Sequence, residues 1–230
     1  MDSVAVYSDV HADKPALEAI LAEIKAAGIS RIWCLGDFCS GGPDPAECFD
    51  LTIEHCELVL AGNHELFVTL KVFMDYSGGW ADAAYYAYQH LGADRISRLQ
   101  TLKSQISLPE AELVHGDLDD PASGFILNAA DAMTNLSLIS QPLLLFGHTH
   151  HQAFYQARTL PFGALAFQGS AEIELDRKYS LANAKCALNP GSACDDRGGM
   201  WLELDLEPTQ PSATWHQTKT AGHGGIASIF

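Results

Sequence analysis

Residues 143–152 read LLLFGHTHHQ: four large apolar residues, a glycine, then three histidines within four positions. Such an apolar run, ended by glycine, is the pattern of a short strand buried on both faces. Ending a strand does not call for His148, His150 and His151. The stretch therefore has to be read against the ends of the other strands. Residues 4–7 form a run of β-formers, and SDVHAD follows with Asp9 and His11. RIWCL runs into GDF with Asp37, LVLAG into NHE with Asn63, His64 and Glu65, and ELVHG ends at His115. In open α/β sheets, ligands bind beyond the carboxyl ends of the strands. Five strand ends here deliver carboxylate, imidazole or amide to that edge.

The segments between these strands fix their direction. Residues 16–26 carry Leu17, Ile20, Leu21 and Ile24 at helical spacing, with Asp13 to cap, Pro15 in the first turn and Gly28 to stop. Residues 45–53 are helix-like. A β-α-β-α-β start implies a parallel sheet with right-handed crossovers. The middle, from residue 65 to about 103, reads as helical. From residue 112 on, strands dominate (PLLLFG, QAFYQ, ALAFQ, MWLELDLE), with one more helix at 128–138. This half reads as mixed or antiparallel sheet with hairpins. No linker, repeat or low-complexity segment interrupts the chain, so one domain over 1–230 is expected. The Gly-rich end TKTAGHGGIASIF reads as loosely ordered, and His223 in it as incidental.

The chain has 230 residues, 47% of them apolar, enough for a substantial core. No apolar stretch approaches the ~20 residues of a membrane span. MDSVAVYSDV has no basic region and no small-residue cleavage site, so it reads as a first strand, and the expected setting is cytoplasmic. A net charge of −16 argues against a broad nucleic-acid surface. Solubility accounts for most of that acidity, although clustered carboxylates can also hold cations. Cysteines 34, 39, 48, 56, 186 and 194 form no C-x-x-C pair and read as free thiols, Cys39 as a small buried filler.

In extended chain, residues i and i+2 point to the same side. Asp9 and His11 are thus expected to face one point, as are His148 and His150, with His151 turned away. The glycines before Asp37, Asn63 and His148 are expected to allow tight turns. Imidazole and carboxylate together suit Zn, Mn, Fe or Ni. One ion needs about four protein ligands. The seven candidates Asp9, His11, Asp37, Asn63, His115, His148 and His150 suit two ions sharing a carboxylate.

As a set, Asp9-Val10-His11, Gly36-Asp37, Gly62-Asn63-His64-Glu65, His115 and Gly147-His148-Thr149-His150 resemble the calcineurin-like metallophosphoesterase superfamily. Its pattern is D-x-H, G-D, G-N-H-[ED], a later H and a final G-H-x-H. GGPDP (41–45) and NPGS (189–192) look like its small bacterial and archaeal branch. The resemblance covers nearly the whole chain. It implies an α/β fold of two packed mixed β-sheets flanked by helices, a four-layer α/β/β/α sandwich. It also implies two divalent ions, with Mn, Fe, Ni, Zn and Co all compatible. Asp9, His11 and His150 would hold one ion and Asn63, His115 and His148 the other, with Asp37 bridging. Asp37 and His64 would be catalytic, with His64 near the substrate phosphate and its leaving oxygen. Asn63 and His64 would meet the substrate.

The chain departs from the phosphoprotein-phosphatase and dinucleoside-tetraphosphatase branches, whose second motif has the form G-D-x-V-D-R-G. Here that stretch is Gly36-Asp37-Phe38-Cys39-Ser40-Gly41-Gly42, and Leu66 and Phe67 follow G-N-H-E where those branches carry arginine. The usual arginine clamp for phosphate is missing. Arg197, after NPGS, is a candidate substitute, although a surface arginine is the plainer reading.

The implied chemistry is in-line attack on phosphorus by a hydroxide shared between cations about 3.5–4 Å apart. Lowering the pKa of bound water from ~15.7 to ~7 favours hydroxide by roughly 12 kcal/mol. A general acid contributes about 3–5 kcal/mol. The metals should therefore dominate. Trp80, Tyr85, Tyr86 and Tyr88 suit ordinary helix packing, with stacking on an aromatic substrate group as the alternative. The leading expectation is hydrolysis of small-molecule phosphodiesters or phosphomonoesters. A dinucleoside polyphosphate hydrolase or nuclease is a weaker option within the enzyme class. The alternative outside it is a protein-binding scaffold with little catalysis, as in a retromer subunit. The complete set of candidate ligands argues against that.

Overall fold

Val4 and Val6 in the first strand point one way, Ala5 and Tyr7 the other, and all four are fully buried. That alternation sets up the architecture of the computed structural model, which describes residues 3–219. A strand apolar on both faces needs a layer against each.

β1 (Ser3–Tyr7) pairs in parallel with β2 (Arg31–Cys34), and β2 with β3 (Leu58–Val59). α1 (Lys14–Ala26) and α2 (Pro45–His55) connect them, as the sequence predicts. Asp13 caps α1, its carboxylate accepting from the Ala16 amide at 3.0 Å. The other edge of β1 takes β11 (Met200–Asp205), then β12 (Ser212–Gln217) and β9 (Lys178–Ser180), all antiparallel. The second sheet runs β4 (Gln105–Ser107), β5 (Ala111–Val114), β6 (Leu143–Leu145), β10 (Lys185–Asn189), β7 (Ala153–Thr159) and β8 (Leu165–Ser170). β5, β6 and β10 are mutually parallel at its centre, and the outer strands are antiparallel.

The two mixed six-stranded sheets pack face to face. Val4, Val6 and Trp33 from one sheet meet Leu113, Leu145 and Leu188 from the other in the central layer. Ala5, Tyr7 and Cys34 pack outward on Leu17, Ile20 and Ile24 of α1 and on Phe49 of α2. On the opposite face, Leu144, Phe146 and Ala187 pack on Ala132 and Leu136 of α5 (Ala129–Leu138). The expected four-layer sandwich is observed. LLLF is its clearest signature: Leu143 and Leu145 enter the central layer, while Leu144 and Phe146 meet α5.

The middle of the chain is helical, as its sequence predicts, but in separate pieces. It divides into α3 (Asn63–Thr69), a 3₁₀ turn at Val72–Met74 and α4 (Gly79–Leu99). Lys71 adopts a left-handed conformation between the first two, and α4 is kinked at Gly92, where φ is 76°. All six cysteines are free thiols. Among the described residues, no helix is long and apolar enough to cross a membrane. Most of the Gly-rich C-terminal stretch, His223 included, lies outside the described residues.

Candidate metal centre

The carboxyl ends of β1, β2, β3, β5 and β6 converge, and each predicted residue arrives just beyond its own strand. Backbone bonds extend the first sheet past its formal end: the Asp9 amide donates to the Gly36 carbonyl at 3.1 Å, and the His11 amide to the Asp37 carbonyl at 2.9 Å. The His148 amide donates to an Asp9 carboxylate oxygen at 3.2 Å and so ties the two sheets together.

The expected route to convergence is corrected here. Asp9 and His11 are not in extended chain, and neither are His148 and His150. Their φ values are 58°, 50°, 64° and 60°, and that of Asp37 is 54°. Five of the seven candidates thus occupy the left-handed region, which costs an L-residue roughly 1–2 kcal/mol. Strain of this kind collects where structure is held for function. It turns the chain sharply at each strand end, so alternation across a strand does not apply. Nor do all three preceding glycines serve as turns. Gly36 does, with φ of 109°. Gly62 is extended (φ −92°), and a Cβ there would meet an Asp37 carboxylate oxygen at 2.2 Å and His115 Nε2 at 2.7 Å. Its lack of a side chain leaves room for the cluster.

Three overlapping groups form: Asp9 with His11 and His150, His11 with Asp37 and His64, and Asp37 with His115 and His148. In the first, His11 Nε2 and His150 Nε2 are 3.0 Å apart, and Asp9 Oδ1 is 3.9 and 3.5 Å from them. In the third, His115 Nε2 is 3.2 Å from Asp37 Oδ2 and 3.3 Å from Asn63 Oδ1. Donors ~2.0–2.2 Å from one ion stand about 3.4 Å apart in a tetrahedron, so these separations fit shared cations. The outer ring nitrogens are already engaged. His115 Nδ1 donates to the Leu35 carbonyl at 2.8 Å and His11 Nδ1 to the Ser40 carbonyl at 3.2 Å. That arrangement turns each Nε2 toward the cluster. Asp9 Oδ1 and His148 Nε2 are buried without a hydrogen-bond partner. Buried polar atoms are seldom left so, and bound cations would satisfy each of them.

The electrostatics are those of crowded buried groups. Burial, followed by the neighbouring His64, pulls His11 down to about 3. Burial likewise lowers His148. Burial also opposes charge on His115, but the Asp37 carboxylate prevails and raises it to about 9. Burial acts to raise Asp37 too, yet His115 and His64 hold it well below the usual carboxylate range.

Three positioning residues escape a reading based on ligand chemistry. The Glu65 carboxylate, fully buried, accepts the amides of Asp37 (2.8 Å), Phe38 (2.9 Å), Cys39 (3.2 Å) and Gly62 (2.9 Å). Burial, then Asp37, raises its pKa. Asn189 donates to the Gly147 carbonyl at 2.9 Å and to the Thr149 hydroxyl at 3.1 Å. Ser192 donates to the Asp9 carbonyl at 3.0 Å. The signals were the glutamate at the third position of α3 and the NPGS stretch.

A cavity of about 720 Å³ opens above the cluster, within the ordinary range for ligand sites. Asp37, Asn63 and His64 line it, and His64 Nδ1 has no partner. His151, expected to point away, is exposed but stands on the rim. Arg197 is not brought to the cavity. Its guanidinium is exposed and engages Asp195 at 3.2–3.3 Å. Of Trp80, Tyr85, Tyr86 and Tyr88, only Trp80 lines the cavity. Tyr85 and Tyr88 pack on Phe73, and Tyr86 stacks on His90.

Residues 3–202 match the calcineurin-like phosphoesterase superfamily domain. The chain belongs to that superfamily, a family of metal-dependent hydrolases. It is 28% identical over 215 residues to an uncharacterized protein of Methanocaldococcus jannaschii, covering 86% of this chain and 78% of that one. Among solved structures it resembles a metallophosphoesterase from Sphaerobacter thermophilus, with a TM-score of 0.77 at 23% identity, over 94% of this chain and 88% of the other. A hypothetical protein from Pyrococcus horikoshii gives a TM-score of 0.72 at 15% identity, with the same coverage.

Proposed function

We propose that this chain, as one metallophosphoesterase domain, hydrolyses phosphodiesters or phosphomonoesters of small molecules with two divalent cations. Asp9, His11 and His150 would hold one cation and Asn63, His115 and His148 the second, with Asp37 between them. The observation that carries this reading is the pair of donor groups, 3.0–3.9 and 3.2–3.3 Å across, with the buried Asp37 in the second lying within 4.8 Å of His11 in the first. Two cations bound there supply Lewis-acid activation of water and of the phosphoryl oxygens.

The chain's own part is orientation and proton handling. The Leu35 and Ser40 carbonyls fix the rings of His115 and His11. Glu65 gathers four amides and so fixes the turn that carries Asp37. The His64 amide donates to Asp37 Oδ1 at 2.9 Å, which sets its ring at the cavity floor. With a free Nδ1, that ring is the group for giving a proton to the departing oxygen.

The test uses metal-stripped protein reconstituted with Mn, Fe, Ni, Zn or Co in turn and assayed on a phosphoester panel. Activity should return with at least one metal. Asp37→Asn should nearly abolish it, whereas His64→Ala should leave a residue about 10²–10⁴-fold below the native rate. Equal, mild losses in both variants, with metal content intact, would contradict the assignment.

A further inference from the structure

The cavity has a polar floor and two apolar walls. One wall is Phe67 and Trp80, with ring centroids 4.7 Å apart. It continues directly from the floor, since Phe67 lies 5.7 Å from His64. The other wall is Phe125 and Leu127, and the Phe125 ring is 4.3 Å from His148. Phe125 and Leu127 are 52% and 65% exposed, so this wall presents apolar surface to solvent beside the metal cluster. Among the described residues, no lysine or arginine lines the cavity. Arg95, Arg177 and Arg197 are engaged with Asp50, Glu174 and Asp195 instead.

These features select among phosphoesters. A phosphomonoester or polyphosphate brings two or more negative charges, and among the described residues no lysine or arginine meets them here. A diester brings one. Its second arm, if aromatic or bulky and apolar, would remove both walls from water. We infer that the cavity takes singly charged phosphodiesters with an aromatic or bulky apolar arm packed against Phe67–Trp80 and Phe125–Leu127. This rests on the phosphoesterase reading above and narrows it to a substrate class.

The probes share one leaving group: phenyl p-nitrophenyl phosphate, methyl p-nitrophenyl phosphate and p-nitrophenyl phosphate. In each, the oxygen of water bonds to phosphorus and p-nitrophenolate departs with the electron pair of the broken P–O bond. Water's proton passes to solvent. Rates are divided by the uncatalysed ones. The phenyl diester should exceed the methyl diester in kcat/KM by about tenfold, and both should exceed the monoester. Trp80→Ala and Phe125→Ala should each bring the phenyl-to-methyl ratio below about threefold. Should either variant fail to fold, native protein decides through inhibition by the monomethyl esters of phenylphosphonate and methylphosphonate, with the same tenfold preference expected. A native ratio near one, equal inhibition by the two phosphonates, or preference for the monoester overturns the inference while leaving a phosphoesterase. Metal-loaded protein that hydrolyses none of the three overturns the phosphoesterase reading and this inference with it.

Discussion

Asp37 meets three demands in a few cubic ångströms. One oxygen accepts the His64 amide at 2.9 Å, the other faces His115 Nε2 at 3.2 Å, and its own amide is held by Glu65. Nothing nearby can yield cheaply, and Gly62 is the clearest instance. A methyl group there would press on Asp37 and His115, both fully buried and fixed. Overpacking of this kind costs about 1–3 kcal/mol. Gly62→Ala should therefore lower stability by that amount and weaken metal binding more than tenfold, as read by urea unfolding and metal titration. Unchanged metal affinity would show that the crowding is relieved elsewhere. The clustering of the candidate ligands was legible in the sequence because each lies within a few residues of the end of a β run. Their left-handed backbone was not. Alternation presumes extended chain, and Asp9, His11, His148 and His150 leave that conformation at the point where they matter. Arg197 stood in the right neighbourhood of the sequence, but Asp195, two residues away, holds its guanidinium outside the cavity.

At the scale of elements, the end of β10 supports the end of β6. Asn189 bonds both Gly147 and Thr149, and its own carbonyl accepts from the Trp215 indole at 2.7 Å. Asn189→Ala would remove one of the two donors to the Gly147 carbonyl and leave the buried Gly191 amide without its acceptor, at about 1–3 kcal/mol. It should also loosen His148 and His150 together. The expected result is weaker binding at both cation sites, detectable as a parallel rise in both dissociation constants. A change at only one would separate the two histidines mechanically. Wholly apolar strands such as β6, three leucines, declared themselves in sequence. β4, β9, β10 and β12 did not. KYS and QIS are mostly polar, KCALN lacks β-branched residues, and SATWHQ is mostly polar too. Pairing with a formed sheet, rather than intrinsic preference, makes them strands. The helical reading of residues 65–103 holds for α3 and α4, with a break at Lys71 and a kink at Gly92, both of positive φ.

Across the whole molecule, five of the six free thiols are buried and Cys56 is half-buried. Burial pushes Cys56, Cys186 and Cys194 each up to about 12. A thiol raised in the folded state contributes stability that is complete below its unfolded pKa, near 8.5. That contribution is lost as pH rises from there toward 12, because only the unfolded chain ionises. The urea midpoint should therefore fall steadily between pH 8.5 and pH 10.5, and Cys186→Ala should make the fall shallower. A midpoint flat over that range would count against the raised thiols. The layers were legible through the family resemblance, and strands apolar on both faces, which demand cover on each side, are the physical reason they form. The two sheets then place Asp9 and Asp37 from one opposite His115, His148 and His150 from the other, so the proposed centre exists only while the sandwich is closed.

That dependence makes the metal stoichiometry of folded protein the most direct test. Calorimetric titration of metal-stripped protein with Mn or Zn, checked by elemental analysis after desalting, should give two equivalents per chain. Asp37→Asn should reduce that number or weaken both steps together. A native protein that binds one equivalent or none, with the Asp37→Asn variant unchanged from it, would contradict a dinuclear centre built on Asp37.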